Sequence, residues 1–324
     1  MANIVCLGGG HGLFQTLTAL RRQGEKDITA VVSVADDGGS SGRIRKELEQ
    51  IPPGDLRMAI AALIPDNAGS SPVGWEELLQ HRFGGHGALA GHAVGNLLIA
   101  AVTEITGSSV TALDTVVRAS GAVGRVLPVS CQPLQIEADV SGLDPTNIGN
   151  IYPVRGQVAV ASTTGSVQRV RLIPANPRPS EETLDAISQA DLITLGPGSW
   201  FTSVIPDVLI PGVEQAINAS LATTVVVLNL SAEPGETAGF TAERHLYMLK
   251  RHSQRLHVDY FLVDKNMVNS EKEQRELVIS ASDFGAQVLF RDLCEKDQFG
   301  TPTDRHDPAL LGAALMEIKD HVAS

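Results

Sequence analysis

Residues 4–12 read Ile4-Val5-Cys6-Leu7-Gly8-Gly9-Gly10-His11-Gly12. A short apolar run stops abruptly at three consecutive glycines. A helix-compatible stretch, Leu13 to Arg22, follows, and Ile28–Val34 is a second apolar run rich in β-branched residues. Strand, glycine loop, helix and strand in this order make a βαβ unit, which implies parallel pairing. The first run has no polar alternation, so it reads as a strand buried on both faces.

The rhythm continues outward from this unit. Asp36-Asp37-Gly38-Gly39-Ser40-Ser41-Gly42 leads into a helix over Arg43–Glu49. Pro52-Pro53-Gly54-Asp55 breaks the chain and caps Leu56–Ile64. Residues 66–90 read as a surface excursion around one short helix. Gly91–Thr106 and Val110–Ser120 are predicted helical. Val126–Val129 and Leu134–Val140 read as strands. Val154–Ala161 and Val167–Ile173 flank Thr163-Thr164-Gly165 and read as a hairpin, so an antiparallel insert is expected near 126–175. Strands return at Asp191–Leu195, Thr223–Leu228 and Val258–Val263, and Pro308–Val322 reads as a closing helix. The expected fold is α/β: a doubly wound, mostly parallel Rossmann-like sheet with helices on both faces and a small insert. All 324 residues are read as one domain.

Composition narrows the class of partner. The net charge of −12 excludes a bulk nucleic-acid binder, which needs a basic field, but leaves room for one small anion. No apolar stretch is long enough to span a membrane, so no membrane insertion is expected. Cys6, Cys131 and Cys294 are odd in number and lack metal-ligand spacing, so they read as reduced thiols. The chain opens directly into a strand, without a basic leader or cleavage site. A cytoplasmic location is expected.

Ligands of open parallel sheets bind at the carboxyl ends of the strands. Four strand ends carry unusual residues. Gly9, Gly10, His11 and Gly12 can present amides to an anion at a helix start. Asp36 and Asp37, with Ser40 and Ser41, stand where such folds reach a ribose, and their oxygens suit Mg²⁺. A solvated turn and helix cap is the alternative, but three glycines and two serines after two aspartates exceed what a turn needs. Gly196, Gly198 and Ser199 repeat the glycine device, with Ser199 expected as N-cap. Two such loops favour an anion with two charged ends, such as a diphosphate. Asn229, at the end of an apolar strand, can read a nucleoside. Asp55 with Arg57 reads as an ion pair or ligand clamp. His92 and Asn96 share a helical face, and Arg305 offers a bidentate phosphate partner. No general base stands out, so catalytic residues are undefined beyond Asp36 and Asp37.

Several strings resemble a known family when taken in order. They are Gly8-Gly9-Gly10-His11-Gly12-Leu13, Val34-Ala35-Asp36-Asp37-Gly38-Gly39-Ser40-Ser41-Gly42-Arg43 and Pro52-Pro53-Gly54-Asp55. Gly91-His92-Ala93-Val94-Gly95-Asn96-Leu97, Gly196-Pro197-Gly198-Ser199 with Thr202-Ser203, and Pro234-Gly235-Glu236-Thr237 complete the set. This set resembles the YvcK family of gluconeogenesis factors (UPF0052), within the CofD-like superfamily. The resemblance runs from about residue 3 to Asp307 and beyond.

It implies a cytoplasmic regulatory protein that binds UDP-sugars, UDP-N-acetylglucosamine in particular. It also implies links to cell-wall synthesis, cell shape and growth on gluconeogenic carbon sources. The alternative it implies is a Mg²⁺-dependent transferase of the 2-phospho-L-lactate type, using a nucleoside-diphosphate donor. Carried over, Gly10 and Gly12 face the diphosphate, Asp36 and Asp37 hold metal and acceptor, and Arg305 belongs to nucleotide-sugar binding. A homodimer is a further expectation. Three places depart from the family pattern: His11 for Thr, Met58 for Asn, and Ser231-Ala232-Glu233 for Met-Thr-Gln.

Overall fold

The computed structural model describes residues 3–66, 73–233, 235–268 and 270–322. Residues 67–72 of the surface excursion and Pro234 of the Pro-Gly-Glu-Thr turn lie outside the described residues. The chain opens with β1 (Ile4–Gly8), α1 (Gly10–Arg22) and β2 (Ile28–Val32). Four helices follow in succession: α2 (Gly39–Leu48), α3 (Gly54–Leu63), α4 (Trp75–Gln80) and α5 (Val94–Thr106). Then come α6 (Ser109–Ser120), β3 (Arg125–Pro128), β4 (Gln135–Ser141), β5 (Ile151–Arg155), α7 (Gln157–Ala161) and β6 (Ser166–Ile173). The second half runs α8 (Glu181–Ser188), β7 (Leu192–Leu195), α9 (Ile205–Val208), α10 (Val213–Ala219) and β8 (Thr223–Val227). It continues through α11 (Ala242–His252), β9 (Tyr260–Asp264), α12 (Glu271–Ser282) and β10 (Gln287–Arg291). It closes with β11 (Cys294–Lys296), β12 (Pro302–His306) and α13 (Pro308–Val322).

Seven strands form one parallel sheet in the order β10-β9-β8-β7-β1-β2-β3. β1 is central: Ile4 pairs with Ile28 on one side and Leu192 on the other. Every residue of β1, β7 and β8 is buried, as a sheet covered on both faces requires. Helix α1 packs against α3 and α13, and Gly312 of α13 comes close to the Ala19 carbonyl. The chain builds outward from β1 through β2 and β3, then returns to build the other half from β7. The strand order therefore reverses between β1 and β7, and this is where a ligand crevice is expected.

Two expectations need correction. The antiparallel insert does not begin at 126. Val126 and Leu127 are fully buried and pair in parallel with Ala30 and Val31, so β3 is the edge of the main sheet. The insert is the three-stranded sheet β5-β4-β6. Nor do 154–161 and 167–173 form a hairpin. Strand β5 ends at Arg155, Gly156 takes φ +99°, and α7 begins; β5 and β6 each pair with β4 instead. A second antiparallel ribbon, β11–β12, was not anticipated.

Candidate functional site

The first glycine loop sits at the carboxyl end of β1. Gly9 is extended and precedes α1, while Gly10 has φ +59°, a left-handed conformation that favours glycine. Helix α1 has no acidic residue in its first turn, so its leading amides meet no local carboxylate from their own helix. A Cβ on Gly12 would lie 2.0 Å from the Pro197 carbonyl oxygen. The two glycine loops therefore touch backbone to backbone. The buried Thr16 hydroxyl spans them, within 3.3 Å of the Gly12 carbonyl and 3.4 Å of the Gly196 carbonyl.

The second loop, at the end of β7, is furnished differently. Asn229, following β8, clamps Gly198 with a pair of bonds. The Gly198 N–H donates to Asn229 Oδ1 at 2.9 Å, and Asn229 Nδ2 donates to the Gly198 carbonyl at 2.9 Å. Its amide thus holds the loop rather than standing free to read a base. Ser199 does not cap the π-helical turn Trp200–Val204 with its side chain. Its hydroxyl donates instead to Glu236 at 2.6 Å, joined there by the Thr202 hydroxyl at 2.7 Å and the Phe201 N–H at 3.1 Å. Glu236 is 4% exposed. A buried side-chain carboxylate already occupies the donors of this loop.

Between the loops opens a cleft of about 750 Å³. His11, Gly12, Gly198 and Glu233 line it, and β11 and β12 close it with Arg305 and His306. Arg305 is exposed and Arg22 adds a second cation to the wall. Burial pushes the His306 ring down to about 4, against the pull of Asp264 and the Leu228 carbonyl, so it is neutral at physiological pH. Burial and then the Glu236 charge push Glu233 up to about 7, which the Ser199 hydroxyl and Trp200 amide oppose.

The acidic loop after β2 forms a second cluster. Asp36 accepts from the Gly38 N–H at 2.9 Å. Asp37 accepts from the Gln157 and Val158 amides at 3.1 and 3.0 Å, capping α7 of the insert. Gly156 leaves the room: a Cβ there would lie 2.4 Å from Asp37 Oδ2. Asn96 donates to Ser40 Oγ at 3.0 Å, Ser40 and His92 Nδ1 are 2.9 Å apart, and Arg57 donates to Asn96 at 2.9 Å. Ser40 thus joins His92, which precedes α5, to Asn96 within it. Ser41 lies against Gly54, where a Cβ would meet its hydroxyl at 2.3 Å.

Arg57 and Asp55 form no ion pair within 4 Å among the described residues, and Arg57 Nη1 is buried without a partner. Asp55 adjoins the first glycine loop, where a Cβ on Gly9 would lie 2.7 Å from its Oδ2. Burial and the Asp36 charge push Asp55 up to about 7, against the Gly10 amide and Arg57.

Among the described residues no three His, Cys, Asp or Glu side chains converge on one point. Each Asp37 oxygen accepts one amide, and Asp36 Oδ1 accepts the Gly38 N–H, so both carboxylates are oriented by backbone donors. The sequence places Glu236 in a motif string without a role of its own and does not single out Thr16 or Asp207. Asp207 is fully buried with both oxygens unpartnered, and burial raises it well above the carboxylate range. An acid inside the apolar run Ile205–Val208 was the available signal. For Glu236 the signal was an acid in the loop beyond the most apolar strand.

Comparisons with known proteins match this geometry to a family. The model for 2-phospho-L-lactate transferase CofD matches residues 4–293. A Mycobacterium tuberculosis protein whose name assigns it to the gluconeogenesis factors is 54% identical over 314 residues, 96% of this chain and 89% of its own. The gluconeogenesis factor of Bacillus subtilis is 35% identical over 322 residues, covering 97% of each chain. The crystal structure of a UPF0052 protein from Bacillus halodurans superposes with a TM-score of 0.84 at 33% identity, over 98% of this chain and all of that one. The chain belongs to the CofD-like family, in its gluconeogenesis-factor (UPF0052, YvcK-type) branch.

Proposed function

We propose that the cleft between the two glycine loops binds a nucleotide sugar of the UDP-N-acetylglucosamine type, and that binding is regulatory rather than catalytic. One observation carries this reading: His11 and Gly12, at the start of α1, face a cleft of about 750 Å³ at the reversal between β1 and β7. The diphosphate rests on the first loop, with Arg305 and Arg22 as cations at the wall. The second loop serves as a fixed wall, because Glu236 and Asn229 hold its groups. Neutral His306 offers the nucleoside a ring without adding charge.

The relatives' names support a role in growth on gluconeogenic carbon sources, and a cytoplasmic link to cell-wall synthesis and cell shape follows from the ligand. No helix among the described residues is long and apolar enough to cross a membrane.

The test is thermal unfolding with ligand. Millimolar UDP-N-acetylglucosamine is expected to raise Tm by several degrees, through linkage to the folded state. No rise at that concentration overturns the reading.

A second reading, a nucleotide-dependent transferase, is favoured by Asp55. Its carboxyl lies beside the glycine loop and titrates near neutrality, which suits proton transfer. Release of nucleotide from the donor in the presence of an acceptor, lost in Asp55→Asn, would establish it. Release no faster than in that variant would dismiss it.

A further inference from the structure

Glu233 stands in the cleft wall on a pinned backbone. Its N–H donates to Thr237 Oγ1 at 2.8 Å, and its carbonyl accepts from the Thr237 N–H at 3.0 Å. The side chain lies beside the Trp200 amide at the start of the Trp200–Val204 turn, where Glu236 takes the Ser199 and Thr202 hydroxyls and the Phe201 amide. Glu233 Oε2 is buried and has no hydrogen-bond partner. A buried acceptor without a donor costs free energy that a ligand hydroxyl or amide can recover.

The charged groups around it decide which ligand gains. Glu236 faces Glu233 from its own loop. From α1 come His11 and the cation Arg22. From the β11–β12 ribbon come Glu295, Asp304, Arg305 and neutral His306. The two arginines draw a diphosphate into the cleft, while Glu236 sets its charge against Glu233.

We infer that Glu233 is a specificity-determining residue, which makes the cleft prefer a diphosphate capped by a sugar over a free nucleoside diphosphate. This rests on the nucleotide-sugar reading above. A capped outer phosphate carries one charge and brings hydroxyl donors toward Glu233. A free outer phosphate gains a second charge, with a pKa of about 6, and brings no donor above that pH. It meets like charge where the sugar meets an acceptor. A site built to hydrogen-bond a group discriminates strongly against the analogue lacking it. Titration of Glu233 near pH 7 gives the preference a pH dependence, because the ionised carboxylate repels the free phosphate more than the neutral acid does.

The test is calorimetric titration of the full chain with UDP and with UDP-N-acetylglucosamine, at pH 6 and pH 8. Wild type is compared with Glu233→Gln and with Glu233→Ala, which removes the carboxyl without supplying an amide. The wild-type preference for the capped ligand is expected to rise between pH 6 and pH 8 about tenfold more than in either variant. That is the order one unit charge supplies across a half-buried cleft. The ionisation of UDP itself is common to all three proteins and cancels in the comparison. Equal preferences in wild type and both variants at each pH would overturn the inference. Failure of all three proteins to bind either nucleotide at either pH would instead overturn the nucleotide-sugar reading beneath it.

Discussion

The two glycine loops look alike in sequence and differ in what meets them. Gly8–Gly12 and Gly196–Ser199 each end a fully buried strand and each lead into a helical turn. The second already holds the Glu236 carboxylate and the Asn229 amide. The first faces open cleft along His11 and Gly12, with Asp55 as the carboxyl at its flank. One device thus has two outcomes: a loop filled by the protein's own side chains becomes a wall, and a loop left open becomes a cradle. The lesson is that a glycine-rich strand end marks a place for an anion without saying whose anion it is.

The sharpest way to break the comparison is to press the loops apart. In Gly12→Ala the new methyl meets the Pro197 carbonyl, backbone against backbone, so no side chain can yield. Loss of about 3 kcal/mol in chemical denaturation is expected, together with loss of nucleotide binding. Gly10→Ala is the control: nothing lies within 4 Å of its Cβ, and only the φ of +59° is strained. It should cost about 1 kcal/mol. Equal behaviour of the two variants would refute the account of the loop contact.

Emptying the second loop is the next largest change. Glu236→Ala strands two hydroxyls and one amide that now share its carboxylate, at a cost of about 2–3 kcal/mol. Glu236→Gln keeps one acceptor oxygen and should lose roughly half of that. A variant as stable as wild type would show that the carboxylate does not build the wall.

The smallest effect tests the flank of the first loop. The folded state holds a proton on Asp55 up to about pH 7, whereas the unfolded chain releases it near the ordinary value of 3.8. Between these values the native state binds more protons, so this group lowers stability as pH rises, with the loss complete above about 7. Asp55→Asn should flatten the fall in unfolding free energy between pH 5 and pH 8, by roughly 2 kcal/mol. Parallel pH profiles for the two proteins would count against a buried, proton-holding Asp55.

How much of this could be read in advance follows the distance over which each feature is decided. The β1–α1–β2 unit was legible because turn, helix and both strands are fixed within about thirty residues by periodicity and glycine. Strand β3 was not. Four residues around Val126 and Leu127 satisfy a parallel edge as well as an antiparallel one, and only pairing with Ala30 and Val31 decides. The hairpin expected around Thr163 failed for a similar reason. Helix α7 takes its cap from Asp37, far upstream in the chain, and no local pattern announces that. The shared helical face expected for His92 and Asn96 is absent, because His92 precedes α5; Ser40 joins the two instead. Serine before a helix commonly caps it, which is the expectation for Ser199. Glu236 competes for the same hydroxyl and wins it with a charge-assisted bond.

The walls of the cleft come from His11 and Gly12, from Gly198, from Asn229 to Glu233, and from Arg305 and His306. They are drawn from nearly the whole length of the chain. A polypeptide growing from its amino terminus completes the first cradle long before it owns the opposite wall. Contacts between segments so distant in sequence are the last to be rewarded during folding. The cleft is therefore a record of completed synthesis: a chain cut anywhere before β12 keeps β1, α1 and their glycines, yet has no enclosed place for a ligand.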